Sequence, residues 1–275
     1  TQGVSSAASD VYKRQLYYVE AHPEISDAAY DRLHRELQDF EQAHPELVDD
    51  NSPTQKVGGT PLDSFRTIRH AVPMQSLNNT YSEEELGEFL DRVAKNLHGQ
   101  TAEFAIEPKV DGVAVSVRYE QGRLAQGLTR GDGEKGDDIT ENLRTIRNLP
   151  LAVKGLPKVI EFRGEVYLPE PAFASLNRAR EKAGEPPFAN PRNAAAGTLK
   201  LLDSREVARR PLAVVFYGLG EVVGAKTESQ VDLHRQIHKW GLPGHEWFRH
   251  VEGEEGVRAA VRELDRDRTK FPFAT

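Results

Sequence analysis

The run Glu107-Pro108-Lys109-Val110-Asp111-Gly112 sets a lysine between two acidic side chains and ahead of a glycine, with an apolar stretch on either side. That is the arrangement of a nucleophilic amine. A free lysine titrates near 10.4, so at neutral pH roughly one in a thousand carries the lone pair that an attack requires. Burial or a neighbouring cation must lower that value before the amine can act. The tetrapeptide K-x-D-G would equally suit a solvated β-hairpin edge whose Asp-Gly makes a turn, and alone it does not decide between them. A second set of chemical groups lies on Val159 to Leu168. Glu161, Arg163, Glu165 and Tyr167 alternate there with Ile160, Phe162, Val166 and Leu168, which predicts a strand with an apolar back and a row of charges facing a polar cleft.

The glycines of G-D-G-E-K-G, Gly131, Gly133 and Gly136, satisfy the dinucleotide fingerprint G-x-G-x-x-G. That fingerprint needs a strand, the glycine turn and a helix whose amino terminus faces a pyrophosphate. The preceding stretch reads as half of a hairpin, and Asp132, Glu134, Asp137 and Asp138 crowd the turn with charge that repels phosphate. A Rossmann reading is set aside.

The elements that must position these groups follow from periodicity. A helix is predicted from Ser26, with Tyr30, Leu33, Leu37 and Phe40 on one face and His44-Pro45 as its stop. The Pro- and Gly-rich segment Asn51 to Pro61 reads as a linker. Ser82 and Glu85 form a capping box for a second helix that buries Leu86, Phe89, Leu90, Val93 and Leu97. Strands are expected at 104–107, 113–119, 124–130, 159–168 and 212–219. Helices are expected at 138–146, 171–183, 193–201, 231–240 and 255–266. Hairpins mixed with helices give an α+β class rather than a doubly wound parallel sheet.

Composition limits the partners. With 275 residues, 29% charged and 38% hydrophobic, the chain reads as globular, with room for one large domain or a small one and a larger one. It has no apolar run long enough to span a bilayer and no cysteine for a disulfide or thiolate site. A cytoplasmic protein without a membrane partner is expected. A net charge of −7 argues against whole-surface attraction to nucleic acid. Between Arg192 and Arg210, however, five basic residues stand against two acidic ones, which leaves a local basic patch.

Taken together, E-P-K-V-D-G, T-R-G-D-G (Thr129 to Gly133), E-F-R-G-E-V (Glu161 to Val166) and A-N-P-R-N-A-A-A-G-T-L (Ala189 to Leu199) resemble the bacterial NAD-dependent DNA ligases. Y-Y-V-E-A-H-P-E-I-S-D-A-A-Y-D-R-L (Tyr17 to Leu33), S-P-T-Q-K-V-G (Ser52 to Gly58) and V-P-M-Q-S-L-N-N (Val72 to Asn79) precede them in the family's order. The resemblance covers about residues 16 to 268. It implies a small helical NAD-recruiting domain, 1–62, and a nucleotidyltransferase (ATP-grasp-like ligase) domain of antiparallel sheets with flanking helices, 63–275.

The resemblance also implies roles. Lys109 would attack the α-phosphorus of NAD, expel nicotinamide mononucleotide and carry AMP to the 5′-phosphate of nicked duplex DNA, with Mg²⁺ present. Glu107 would contact adenine. Arg130 and Glu165 would hold the ribose and its surroundings, Ser76 and Leu77 would line the nucleotide pocket, and Asp111 and Gly112 would shape the lysine loop. Tyr17, Tyr18, Asp27, Tyr30 and Asp31 match the segment that binds the mononucleotide half of NAD. Arg192 and Lys200 would reach DNA phosphates.

No resident metal ligand is assigned, and a monomer is expected. The residues before Leu16 do not match the amphipathic helix usual in the family. The chain also stops ahead of a D-G-V-V-I-K strand, so a ligase fragment that seals no nicks is expected. A non-catalytic nucleic-acid-binding module and an ATP-dependent nucleotidyltransferase remain the alternatives.

Overall fold

The computed structural model describes residues 27–47, 65–98 and 100–275. Ser26, Tyr17, Tyr18 and the linker at 51–61 lie outside the described residues. The central element is β6 (Val159–Tyr167), nine residues whose alternation puts Ile160, Phe162, Val166 on one side and Glu161, Arg163, Glu165 on the other. It pairs antiparallel with β3 (Val113–Glu120) and β7 (Ala213–Val223), and β4 (Arg123–Thr129) completes a sheet of order β4-β3-β6-β7. The β3–β4 hairpin turns through Gln121 and Gly122, both at positive φ, the geometry that matches strand twist.

The apolar face of this sheet makes the core. Val115, Val117, Tyr119, Ile160, Phe162, Val166, Val214 and Phe216 join Leu143, Leu199, Leu233 and Ile237 from the helices beneath. Phe162 stands at its centre, stacked on Phe216 at 5.0 Å and edge-on to Tyr119 and Trp240. Tyr119 buries its ring, and its hydroxyl donates to the Pro150 carbonyl at 2.6 Å. The covering helices are α3 (Thr140–Arg144), α4 (Glu170–Lys182), α5 (Pro191–Leu199), α6 (Ser204–Ala208) and α7 (Gln230–Lys239).

Two small antiparallel pairs flank the sheet. β1 (Thr67–Arg69) pairs with β5 (Lys135–Asp137), and β2 (Glu103–Ile106) with β8 (Arg249–Glu252). Helix α8 (Gly253–Asp267) packs behind β8. Every pairing among the described strands is antiparallel, so the α+β class holds. The hairpin-edge alternative for Lys109 does not hold, because β2 pairs with β8, 143 residues away or more, and residues 107–112 cross from that small sheet to the large one.

Local signals worked where the chemistry is local. Helix α1 (Asp27–Ala43) buries Leu37 and stops before Pro45. Helix α2 (Glu83–Asn96) is capped by the Ser82 hydroxyl, which accepts from the Glu85 amide at 3.2 Å. Glu85 reaches back to the Tyr81 amide, one residue further than a standard capping box. The fingerprint glycines form no helix start. Asp132 Oδ1 instead accepts from the Glu134 and Lys135 amides at 2.9 and 2.7 Å, and this turn leads into β5. No helix among the described residues is long and apolar enough to cross a membrane.

Phe162→Ala should remove about 3–5 kcal/mol of stability, because three aromatic neighbours cannot close on the void. Urea unfolding measures this; a loss below about 1 kcal/mol would show that the centre of the core lies elsewhere.

Candidate active site

One row of residues across the sheet builds the site. The Arg130 amide donates to Ala114 O at 3.0 Å, Ala114 pairs with Glu165, and Glu165 pairs with Val215. Ala114, between them, has no side-chain atom beyond Cβ. Glu165 is half-buried, and burial pushes its carboxyl up to about 7. The Arg192 and Lys109 cations oppose that rise, the Asp111 carboxylate adds to it, and Arg130 opposes it more weakly. Four groups singled out from the sequence therefore lie within electrostatic reach of a fifth.

Lys109 itself is exposed. Of the two routes open to it, burial or a neighbouring charge, only proximity to other charges distinguishes this lysine. Its loop is fastened at three points. Arg192, at the start of α5, donates from Nη1 to Asp111 Oδ1 at 2.8 Å. The Asp111 amide donates to Ala274 O at 2.8 Å. Gly112 lies so close to β6 that an added Cβ would meet Val166 O at 2.3 Å and Glu165 Cγ at 2.9 Å. Glycine is thus required by contact with the strand that carries Glu165.

Arg192 owes its place to α5, whose N-cap Asn190 accepts from the Asn193 amide at 2.7 Å and whose Pro191 is preset for a first turn. Lys200, at the other end of α5, is half-buried and faces Asp137, whose carboxyl is raised by burial and eased by that ammonium. The two residues read as a DNA-facing pair therefore have protein partners of their own.

Glu107 is half-buried, and burial pushes its carboxyl up to about 7 against a hydrogen bond from Gln230. Gln230 Nε2 also donates to Tyr217 O at 2.6 Å. The Tyr217 phenol is raised by burial first and by the Glu165 carboxylate next, with Arg130 and Arg163 opposing and Glu107 adding. Tyr217 and Gln230 were not among the candidates. A signal for Tyr217 existed, a polar-tipped aromatic inside the otherwise apolar run of β7. Gln230 had none, since only the tertiary fold brings α7 to Glu107.

Glu161 does not line an open wall as expected, because it is buried; Arg163, also buried, contributes only to the lining of the cleft. Arg163 Nη1 lies 2.8 Å from Glu161 Oε1, which also accepts from Ser116 Oγ at 2.5 Å, and Arg163 Nη2 donates to the Val72 carbonyl. This network anchors the segment 72–77 along a cleft of about 380 Å³ lined by Val72, Met74, Arg163, Tyr217 and Leu219 among others. Ser76 and Leu77 lie just past that lining and are exposed, Leu77 by 77%.

Asp27, Tyr30 and Asp31 occupy the first turns of α1, but their side chains lie outside the described residues. A contact not foreseen joins this helix to the rest. Arg35 donates to Asn79 O at 2.7 Å, lies over the Tyr81 ring at 4.3 Å and pairs with Glu85 at 3.5 Å.

The donor set can be stated chemically. Cations at Lys109, Arg130 and Arg192 suit phosphate oxygens, and carboxyls at Glu107 and Glu165 suit amine and hydroxyl hydrogens. Among the described residues no group of three or more His, Cys, Asp or Glu side chains is arranged to hold a metal ion.

Comparison with known proteins places the chain in a family. Residues 62–275 match the family model of the NAD-dependent DNA ligase adenylation domain, and residues 11–58 that of the DNA ligase-like, N-terminal NAD⁺-binding domain. The chain is 48% identical over 269 residues to a DNA ligase of Akkermansia muciniphila, covering 95% of this chain and 34% of that protein. It is 48% identical over 264 residues to a DNA ligase of Geobacter sulfurreducens, covering 94% and 39%, and 49% identical over 268 residues to DNA ligase 1 of Opitutus terrae, covering 95% and 40%. The chain thus spans between a third and two fifths of the length of these relatives.

A carboxyl raised from 4.5 to about 7 binds its proton more tightly in the folded chain. Its contribution to stability is therefore present below pH 4.5 and lost as pH rises through 7. Glu165→Gln should gain on the wild type by on the order of 3 kcal/mol between pH 4.5 and pH 8 in urea unfolding. An offset that is the same at both pH values would contradict the burial assigned to Glu165.

Proposed function

Since the chain belongs to the family of NAD-dependent DNA ligases, we propose that it performs the first chemical step of that family, transfer of the adenylyl group of NAD to Lys109. The observation that carries the reading is the gathering of Lys109, Asp111, Arg130, Arg192 and Glu165 around one loop. In this step the Lys109 amine, having given a proton to solvent, attacks the α-phosphorus. A nitrogen–phosphorus bond forms, the bond from that phosphorus to the bridging oxygen breaks, and nicotinamide mononucleotide leaves with the electron pair. An exposed amine exchanges its proton with water freely, so the acceleration must come from positioning and from charge neutralisation on the phosphoryl oxygens.

The chain's residues divide that work. Asp111, pinned by Arg192, and Gly112, pressed on β6, fix the direction in which Lys109 leaves the loop. Arg130 faces the phosphate oxygens, and the nearby Arg192 adds its positive charge to that side. Glu107 accepts from the adenine amine, and Glu165 holds a ribose hydroxyl. A carboxyl near 7 can do so as donor or acceptor. Ser76 and Leu77, carried on the segment that Arg163 anchors, close the nucleotide side. Tyr17, Tyr18, Asp27, Tyr30 and Asp31, in the amino-terminal division 1–62, receive the mononucleotide half, and Arg35 ties that division to the adenylyl site in 63–275. Mg²⁺ accompanies the substrate phosphates, and no residue is assigned to it.

Sealing of nicked DNA, in replication and repair, is the activity we propose for a protein with the full length of these relatives, as a monomer in the bacterial cytoplasm. Lys200 is the candidate phosphate contact, with Arg192 serving the lysine loop first.

Incubation with NAD and Mg²⁺ followed by intact mass measurement tests the step. One adenylyl adduct is expected on the wild type and none on Lys109→Ala. An adduct formed from ATP and not from NAD would identify an ATP-dependent enzyme, and unchanged mass with retained DNA binding would leave only a binding module. Arg192→Ala should slow adduct formation at least tenfold at saturating NAD; full-rate adenylation in that variant would remove Arg192 from the loop-holding role.

A further inference from the structure

Helix α7 carries His234 and His238 four residues apart, so both imidazoles leave one face of the helix on successive turns. Their Nε2 atoms lie 3.2 Å apart. Each also faces the main-chain oxygen of His245, at 2.8 Å from His234 and 3.2 Å from His238. Three donor atoms thus form a small triangle, and none of the residues belongs to the adenylyl-transfer set.

The triangle is held from outside. The His234 ring stacks on Phe248 with centroids 4.0 Å apart and planes 19° from parallel, and it meets His238 edge-on at 4.5 Å. The His245 side chain is buried. The Phe216 amide donates to Pro243 O at 2.8 Å, which ties this loop to the central sheet. The oxygen and one ring are therefore placed by the fold.

The His245 oxygen can accept from both rings, since a carbonyl carries two lone pairs, but with both Nε2 atoms protonated the two nitrogens, 3.2 Å apart, have no bond between them. A cation takes electron density from all three atoms at once. A tetrahedral ion with bonds of about 2.0–2.1 Å to nitrogen sets its ligand atoms roughly 3.3 Å apart, close to the spacings found here.

We propose that His234 and His238, with the main-chain oxygen of His245 as third donor, form a site for a zinc-class transition-metal ion whose fourth position is open to water. Imidazole ligands select zinc, cobalt, nickel or copper over magnesium and calcium, so this ion is distinct from the one that accompanies NAD. It would staple α7 to the loop at 241–248. The same helix begins with Gln230, which reaches Tyr217 and Glu107, so the staple would steady an element bordering the adenylyl site.

The test uses the untagged, metal-free chain titrated with Co²⁺, read by visible absorption, and with Zn²⁺, read by calorimetry. One saturable equivalent is expected, with a cobalt band of tetrahedral intensity. His238→Ala, at an exposed ring, should weaken binding at least tenfold while leaving the circular dichroism of the metal-free protein unchanged, and His234→Ala should do the same to binding. His250→Ala, whose ring pairs with Glu103 at 2.8 Å, should bind as the wild type does. Zn²⁺ should raise the melting temperature of the wild type and not of His238→Ala. Absence of a saturable equivalent, or affinity retained in both His234→Ala and His238→Ala, overturns the proposal.

Discussion

A carboxyl group drawn out of water among three cations is the constraint from which the rest of the site follows. Glu165 stands on the central strand of a four-stranded sheet, and its cost of burial is offset by Arg192, Lys109 and Arg130. Ionised, the carboxylate holds those cations near one another. Without it they would be three like charges with only the Asp111 carboxylate, already paired with Arg192, among them. The lysine loop is fitted to the same strand by Gly112 and to the same helix by the Arg192–Asp111 bridge. Electrostatics and backbone contact thus converge on residues 107–112 from opposite sides.

The fold supplies this convergence by dividing its labour between sheets. The large sheet spends its apolar face on the core and carries Arg130, Arg163, Glu165 and Tyr217 on or beside the other. The small β2–β8 sheet delivers the chain to Glu107 from outside, so the loop between the sheets is free to be shaped by its own contacts. The segment at 271–274 adds one of those contacts, with the Ala274 carbonyl on the Asp111 amide and Phe273 against Tyr167 at 5.5 Å. Arg163 plays the corresponding part for the segment 72–77.

Much of this was legible in the sequence, for identifiable reasons. Strand β6 announced itself because burial on one face and charge on the other impose a period of two, and α2 because a hydroxyl cap and an acidic first turn are local chemistry. The order of four long motifs brought Lys109, Arg130, Glu165 and Arg192 into one hypothesis before any contact was known. What escaped was long-range. The three-residue strands β1 and β5 and the four-residue β8 are too short to carry a period, and they exist only because distant partners complete them. The burial of Glu161 and Arg163 escaped because a charged row reads as solvated unless the segment that covers it, here Val72 to Met74, is seen.

The most direct measurement of the central claim is a carboxyl titration. With ¹³C-labelled glutamate, the resonance of Glu165, assigned by its loss in Glu165→Gln, should titrate near pH 7 in the wild type and higher still in Arg192→Ala, where its strongest opposing cation is gone. A Glu165 that titrates near 4.5 in both proteins would mean that the carboxyl is solvated and the charges around Lys109 are not gathered as described.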